Sequence, residues 1–340
     1  MVFDKKDYIK ELCVEELTPV DILENDGFFR YAKRDDLYKP FSDSDVNGGK
    51  VRQAICLIGE NYDNIVANHN KNVWTSTSTS SPQGIIIGKT ASWFGLNSKI
   101  FIGAMAYPST IKENPLMMLA YKNGSTINCD CTQAYEAPLH NQMVKESKKL
   151  GVGYYDVKFG INLDTSPDSL IMSTANQVKN IPDVLDNLIV PCGSCIILSG
   201  VIIGCQMFNK KVKNIIGVQI AGYDRRKTID NTLHKYSIST FSFGNRNSIY
   251  KLLLSKDYAY TKLLKTYAIN NGELLLDPLY EAKAYDYIKK HVTLEGKENL
   301  FWVVGNTTKV RNYKIEKDVV DKYLNETKGY VKIYGGKELR

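Results

Sequence analysis

The feature that most constrains this chain is an alternation. Short apolar runs of strand length are followed by turn-forming residues and then by apolar residues at helical spacing. Phe28–Ala32 reads as a strand, Ser42–Gly49 as a turn, and Val51–Glu60 as a helix with Val51, Ala54, Ile55 and Ile58 on one face. The pattern repeats. Val73–Thr75 reads as a strand end and Gln83–Phe94 as a helix closed by Gly95. Lys99–Met105 reads as a strand, Asn114–Asn123 as a helix, Thr126–Cys129 as a strand and Leu139–Leu150 as a helix. After residue 175 it returns with a strand over Asn187–Pro191, a helix over Ile196–Phe208 and a strand over Asn214–Ala221. A helix within Asp277–His291 and a buried strand over Leu300–Val304 follow. Parallel strands need crossover connections, and helices supply them. The expected fold class is therefore α/β, with largely parallel sheets flanked by helices.

Bulk properties narrow the class further. At 340 residues the chain can bury two cores, and 43% hydrophobic with 24% charged residues is an ordinary globular composition. The segment MVFDKKDYIKELC carries no apolar h-region. The longest apolar run, IILSGVIIGC at 196–205, is too short to span a bilayer. A soluble, cytoplasmic chain without membrane association is expected. Seven cysteines give no disulfide framework. Cys129-Asp-Cys131 and Cys192-Gly-Ser-Cys195 lack a second ligand pair at zinc-site spacing, so no metal is expected. The net charge of +7 suits an anionic substrate, a nucleic acid or a plain solvated surface alike.

Four separated segments concentrate chemistry-bearing residues. AKRDDL at 32–37 precedes GGKVRQA at 48–54, which sets Lys50 at a helix start. The positive end of a helix favours an unprotonated amine there; a surface lysine in a turn is the plain alternative. STSTSSPQG at 76–84 places hydroxyls before a helix, an anion site or an ordinary N-cap. CGSCIILSG at 192–200 joins a strand to a helix through a turn whose N–H groups suit a phosphate. LDPLYEAKAYDYI at 276–288 opens a helix with Tyr280 and Glu281, and WVVGNT at 302–307 ends a late strand.

In this order and context, from about Thr18 to Thr307, the chain resembles the fold-type II enzymes that use pyridoxal 5'-phosphate (PLP). It is most similar to the branch of 1-aminocyclopropane-1-carboxylate deaminase and D-cysteine desulfhydrase. The resemblance implies two open, twisted, mostly parallel sheets with the cofactor between the domains. It implies a large domain of 1–58 plus 186–340, with 310–340 an added tail, and a smaller domain of 59–185. It puts the Schiff-base lysine on Lys50 and the phosphate cradle on Gly193, Ser194, Cys195, Ile196 and Ile197. It also implies that Glu281 meets the pyridine nitrogen, that Thr307 contacts the cofactor and that Tyr280 faces the substrate. By the same resemblance Ser78, Thr79, Ser80, Ser81 and Gln83 are expected to hold the substrate carboxylate.

The resemblance has departures. Gly49 stands where the family has asparagine, and Pro82 stands in the slot of another asparagine. Cys195, Ile196 and Ile197 replace two glycines and a threonine, and Asn306-Thr307 departs from the family's late T-G-G turn. The implied activity is a lyase or deaminase working at the α-carbon of an amino acid or close analogue, in a homodimer. Elimination, racemisation and decarboxylation share its opening. One alternative is an enzyme of bacteriophage type that processes an amino acid attached to a modified DNA base. Another is a non-catalytic binding protein that keeps the fold.

Overall fold

The structure is a computed structural model. It describes residues 16–103, 108–131, 133, 135–161, 168–220, 224–239, 249–255, 258, 262–264 and 267–327. In chain order the elements begin with β1 (Val20–Ile22), β2 (Tyr31–Arg34), α1 (Gly49–Glu60), α2 (Tyr62–Asn68), β3 (Asn72–Ser76) and α3 (Gln83–Trp93). Next come β4 (Asn97–Gly103), α4 (Pro108–Ile111), α5 (Pro115–Lys122), β5 (Ser125–Cys131), α6 (Glu136–Leu150), β6 (Tyr155–Val157) and α7 (Asp168–Ala175). Then follow β7 (Val184–Cys192), α8 (Ile196–Met207), β8 (Lys211–Gln219), α9 (Arg226–Lys235), β9 (Lys251–Leu254) and the ribbon β10 (Ala268–Ile269) with β11 (Leu274–Leu275). The last are α10 (Glu281–His291), β12 (Asn299–Val303), α11 (Thr308–Arg311) and α12 (Lys317–Thr327).

The expected alternation is present, and both main sheets are mostly parallel. One has the order β1-β2-β12-β7-β8-β9, with only the β1–β2 pair antiparallel; the other has the order β5-β4-β3-β6. The ends of the strands expected to reach Met105 and Ala221 lie outside the described residues. Among the described residues no helix is long and apolar enough to cross a membrane, and no cluster suits a metal ion.

The chain divides into two compact units. The first is Met1–Leu57 with Asn162–Thr308, and the second is Ile58–Ile161 with Lys309–Arg340. This differs from the expected boundaries at two places. Residues 168–185 join the first unit, where α7 packs against α8 and Gly200 lies so close to Thr174 that a Cβ would approach it to 2.7 Å. The tail joins the second unit, not the large domain, because α12 packs on α5. Tyr323 is buried there with its ring 5.2 Å from that of Tyr121, and Tyr121 donates to Glu326.

In the first unit the parallel strands β2, β12, β7 and β8 all end at one sheet edge. A parallel sheet collects its functional loops at that carboxyl edge. Here it receives Asp35 after β2, residues 304–307 after β12 and residues 193–195 after β7. Beneath lies an apolar core in which Phe29, Ile189, Val218 and Phe301 meet Ala282, Tyr285 and Ile288 of α10. The second unit has its own core around Trp74, Phe101, Leu139 and Met143.

Candidate functional site

Lys50 stands in the first turn of α1, on a loop locked to the end of β12. The Gly49 N–H donates to the Val304 carbonyl at 2.9 Å, and the Asn306 N–H donates to Asn47 Oδ1 at 2.7 Å. Gly48 has φ +102°, and a Cβ on it would lie 2.6 Å from the Val304 oxygen and 2.7 Å from the Gly305 Cα. Both neighbours are backbone, so neither can move aside cheaply. Gly48→Ala is therefore expected to cost about 2–5 kcal/mol, from left-handed strain and overpacking together. A urea unfolding midpoint checks this; an unchanged midpoint would show that the turn is not under this constraint.

The lysine itself is half-buried, yet burial lowers its pKa to about 8. It is an amine crowded by protein but still reachable. The cause is desolvation of the charged amine.

Behind this turn sits a buried charged network. Asp35 accepts from Thr18 Oγ1 at 2.9 Å, from Trp302 Nε1 at 2.9 Å and from Arg52 Nη2 at 3.3 Å. Arg52 also lies 4.4 Å from the centre of the Tyr38 ring. Lys33 donates to the Thr18 carbonyl and to Asn180 Oδ1, and burial lowers its pKa to about 7. Asp35 and Arg52 pair beneath α1, although Arg52 Nε and Nη1 are buried without a hydrogen-bond partner.

Glu281 is fully buried at the start of α10. Its Oε2 accepts the Asp277 N–H at 2.8 Å and its Oε1 accepts the Gly305 N–H at 3.0 Å. The second bond ties it to the loop that also holds Gly48 and Gly49. Burial first, then the charges of Asp277 and Asp36, push its pKa well above the usual carboxylate range. Asp277 is the hub of this corner. Its Oδ1 accepts from the N–H groups of Leu279 (2.8 Å) and Tyr280 (3.2 Å), and its Oδ2 accepts both the N–H (2.9 Å) and the hydroxyl of Thr307. Thr307, expected at the cofactor, thus directs two donors to Asp277.

The turn after β7 runs into α8. Cys195 caps it in the left-handed conformation, φ +64°, and is buried. The first-turn N–H groups that follow have no partner within the helix. Gly193 touches Tyr280, for a Cβ there would come within 3.1 Å of the ring. A Cβ on Gly49 would meet Ile197 Cδ1 at 3.5 Å. The structure thus brings Lys50, Gly193, Ile197, Tyr280 and Glu281 to one edge of the first unit.

The hydroxyl loop belongs to the second unit. Ser78–Ser81 form a turn closed by the Ser81 N–H on the Ser78 carbonyl at 3.1 Å. Ser78 Oγ is buried with no hydrogen-bond partner, whereas Ser81 Oγ accepts the Gln83 N–H at 3.2 Å. Gln83 is committed to this unit. Its amide donates to Thr75 Oγ1 and the Lys158 carbonyl and accepts the Gly160 N–H, each at 2.8–2.9 Å. It therefore braces the loop, whereas the Ser78 hydroxyl makes no hydrogen bond.

Comparison with known proteins adds a frame. No family model matches the chain. It is 25% identical over 332 residues, 81% of its length and 77% of the relative's, to the O-seryl-dTMP PLP-dependent decarboxylase of Salmonella phage ViI. Among solved structures, an ACC deaminase homologue superposes with a TM-score of 0.65 at 20% identity, covering 93% of this chain and 98% of that one. The O-acetylserine-dependent cystathionine beta-synthase of Helicobacter pylori gives 0.56 at 15% identity, over 93% and 99%. The fold is that of the fold-type II PLP enzymes.

Within the fold-type II frame two departures acquire local reasons. Gly49 replaces asparagine where a Cβ would sit 2.9 Å from Asp35 Oδ2. Cys195 replaces glycine yet keeps a backbone conformation that glycine adopts freely, at a cost of about 1–2 kcal/mol. An aspartate before Pro278 and four residues before the start of α10 is a turn signal that the sequence carries at Asp277.

Proposed function

We propose that the chain is a PLP-dependent enzyme, a lyase or deaminase acting at the α-carbon of an amino acid or close analogue. The meeting of Lys50, the Gly193–Ile197 turn and Glu281 at one sheet edge carries the reading. The residues fit the group. The left-handed cap at Cys195 keeps the form of a glycine cradle, and Glu281 is a buried carboxyl of raised pKa.

PLP, when bound, supplies an aldehyde and an electron-withdrawing ring that accepts the electrons of the broken α-carbon bond. Lys50 would hold the aldehyde carbon covalently and, once displaced by the substrate's amino group, would carry a proton at Nζ. The backbone N–H groups of the turn from Gly193 to Ile197 would hold the phosphate. Glu281 would hold a proton at the ring nitrogen. Tyr280 and the hydroxyls of Ser78, Thr79, Ser80 and Ser81 would orient the substrate.

The similarity to the phage enzyme favours a second reading: decarboxylation of a seryl group carried by a thymidine nucleotide, free or within modified DNA. It uses the same Lys50 and changes which bond breaks. The +7 charge suits a nucleotide or DNA partner, and a homodimer accompanies either reading. A binding protein without catalysis would need neither the lowered pKa of Lys50 nor the Glu281 carboxyl tied to the loop that holds its turn.

The test is a purified sample given PLP, then L-serine, D-cysteine or O-seryl-dTMP in turn. Absorbance at the violet edge reports cofactor attachment, and ammonia and carbon dioxide are assayed. Ammonia from a free amino acid supports the first reading, and carbon dioxide from the nucleotide adduct supports the second. Protein that carries no violet-edge band once unbound PLP has been removed by desalting would overturn both.

A further inference from the structure

The tail beyond residue 308 closes on the hydroxyl loop. Both central carbonyls of the Ser78–Ser81 turn are held by side chains. Asn114 Nδ2 donates to the Thr79 carbonyl at 2.9 Å, and Arg311 Nη2 donates to the Ser80 carbonyl at 2.8 Å. Asn114 is also the cap of α5, its Oδ1 accepting from the N–H groups of Leu116 and Met117. The tail grips that same helix: Lys122 pairs with Glu316 at 2.8 Å and with Tyr313 at 3.1 Å, and Tyr121 donates to Glu326 at 2.6 Å. The two carbonyl donors therefore belong to one assembly, α5 clasped by residues 311–326.

Peptide planarity makes this consequential. In a trans peptide the carbonyl and the next N–H point in opposite directions. Fixing the Thr79 carbonyl on Asn114 turns the Ser80 N–H to the opposite side. Fixing the Ser80 carbonyl on Arg311 turns the Ser81 N–H back onto the Ser78 carbonyl, which closes the turn. The buried, unpartnered Ser78 Oγ sits at its first residue. We infer that Arg311 is a positioning residue: with Asn114 it sets the peptide planes of the Ser78–Ser81 turn so that the turn's donors are preorganised for an anionic group of the substrate. What the turn receives rests on the proposed function; the pinning does not. A donor set held in place before binding loses less freedom when the ligand arrives.

The test uses the full-length protein loaded with PLP and compares Arg311→Ala with Arg311→Lys, which keeps a charged donor. Hydrogen exchange is followed at the amides of residues 77–83, with the other amides of the second unit as internal reference. Loss of a charge-assisted bond predicts exchange about 10- to 100-fold faster in that loop alone for Arg311→Ala, largely restored in Arg311→Lys. The absorbance titration with L-serine and with O-seryl-dTMP is then repeated. For whichever ligand perturbs the wild type, half-saturation should rise by a similar factor while the PLP band stays unchanged. Unchanged exchange in the loop, or acceleration spread evenly over the second unit, would overturn the inference. A wild type whose band responds to neither ligand would count against the proposed function and leave the exchange result standing. If Arg311→Ala does not fold, Asn114→Ser, which keeps an α5 cap and withdraws the donor from Thr79, takes its place with the same expected exchange pattern.

Discussion

Replacing Lys50 by alanine is expected to abolish the PLP absorbance band and to lower turnover by at least about 10³-fold. The residue would serve both as covalent anchor and as proton carrier, and proton transfer alone contributes roughly 10²–10⁴. The fold should survive, because the side chain is half-buried and alanine is a good helix former at the start of α1. Burial gives the wild type a pH signature as well. With a pKa of about 8 in place of 10.5, the neutral amine at pH 7 is about 300-fold more abundant than for an ordinary lysine. Burial disfavours the charged form, so the reactive species gains as pH rises. The rate of cofactor attachment should climb about tenfold per unit between pH 6 and 7 and level off above about 8. A rate still climbing at pH 10 would mean that the amine is not desolvated, and attachment of PLP by Lys50→Ala would remove Lys50 from the anchor role.

The alternation of strand and helix made the two parallel sheets legible, because period and length are local properties of the sequence. The short edge pieces β1, β6 and β9 were not legible: three or four residues carry too little pattern to separate them from loops. The proposed site was legible where one residue type would do the chemistry, at Lys50 and Glu281. It was illegible where a residue acts through what it holds. Gln83 and Thr307 looked like ligand-facing groups from their place in a motif, yet their hydrogen bonds go to Gly160 and Asp277, partners far away in sequence. Asp35 and Arg311 carry no sequence signal for the same reason, since the value of each depends on a backbone or a ring that only the folded chain brings near. The tail shows the limit most plainly. Its amphipathic helix could pack on any apolar face, and Tyr323 against Tyr121 decides which.

The other large effect is expected at Asp277. Its carboxylate is buried and receives three backbone N–H groups and one hydroxyl, so Asp277→Ala leaves four donors without their acceptor. At about 1–3 kcal/mol for each donor that stays buried, a loss of at least about 3 kcal/mol in unfolding free energy is expected. Asp277→Asn separates the two halves of the hub. The amide oxygen can still accept from Leu279 and Tyr280, but its NH₂ would face the two donors of Thr307, so roughly half the loss should remain. Charge runs the other way. Asp277 helps raise the Glu281 pKa, so removing its charge should let Glu281 ionise at lower pH even as the fold weakens. Denaturant unfolding of the cofactor-free protein reads the first effect, and the pH midpoint of the Glu281 carboxyl, followed by difference infrared spectroscopy against Glu281→Gln, reads the second. A cost below about 1 kcal/mol for Asp277→Ala would mean that water replaces the carboxylate at little expense, and the hub would then be a solvated loop instead of the brace that joins Glu281 to the turn bearing Lys50.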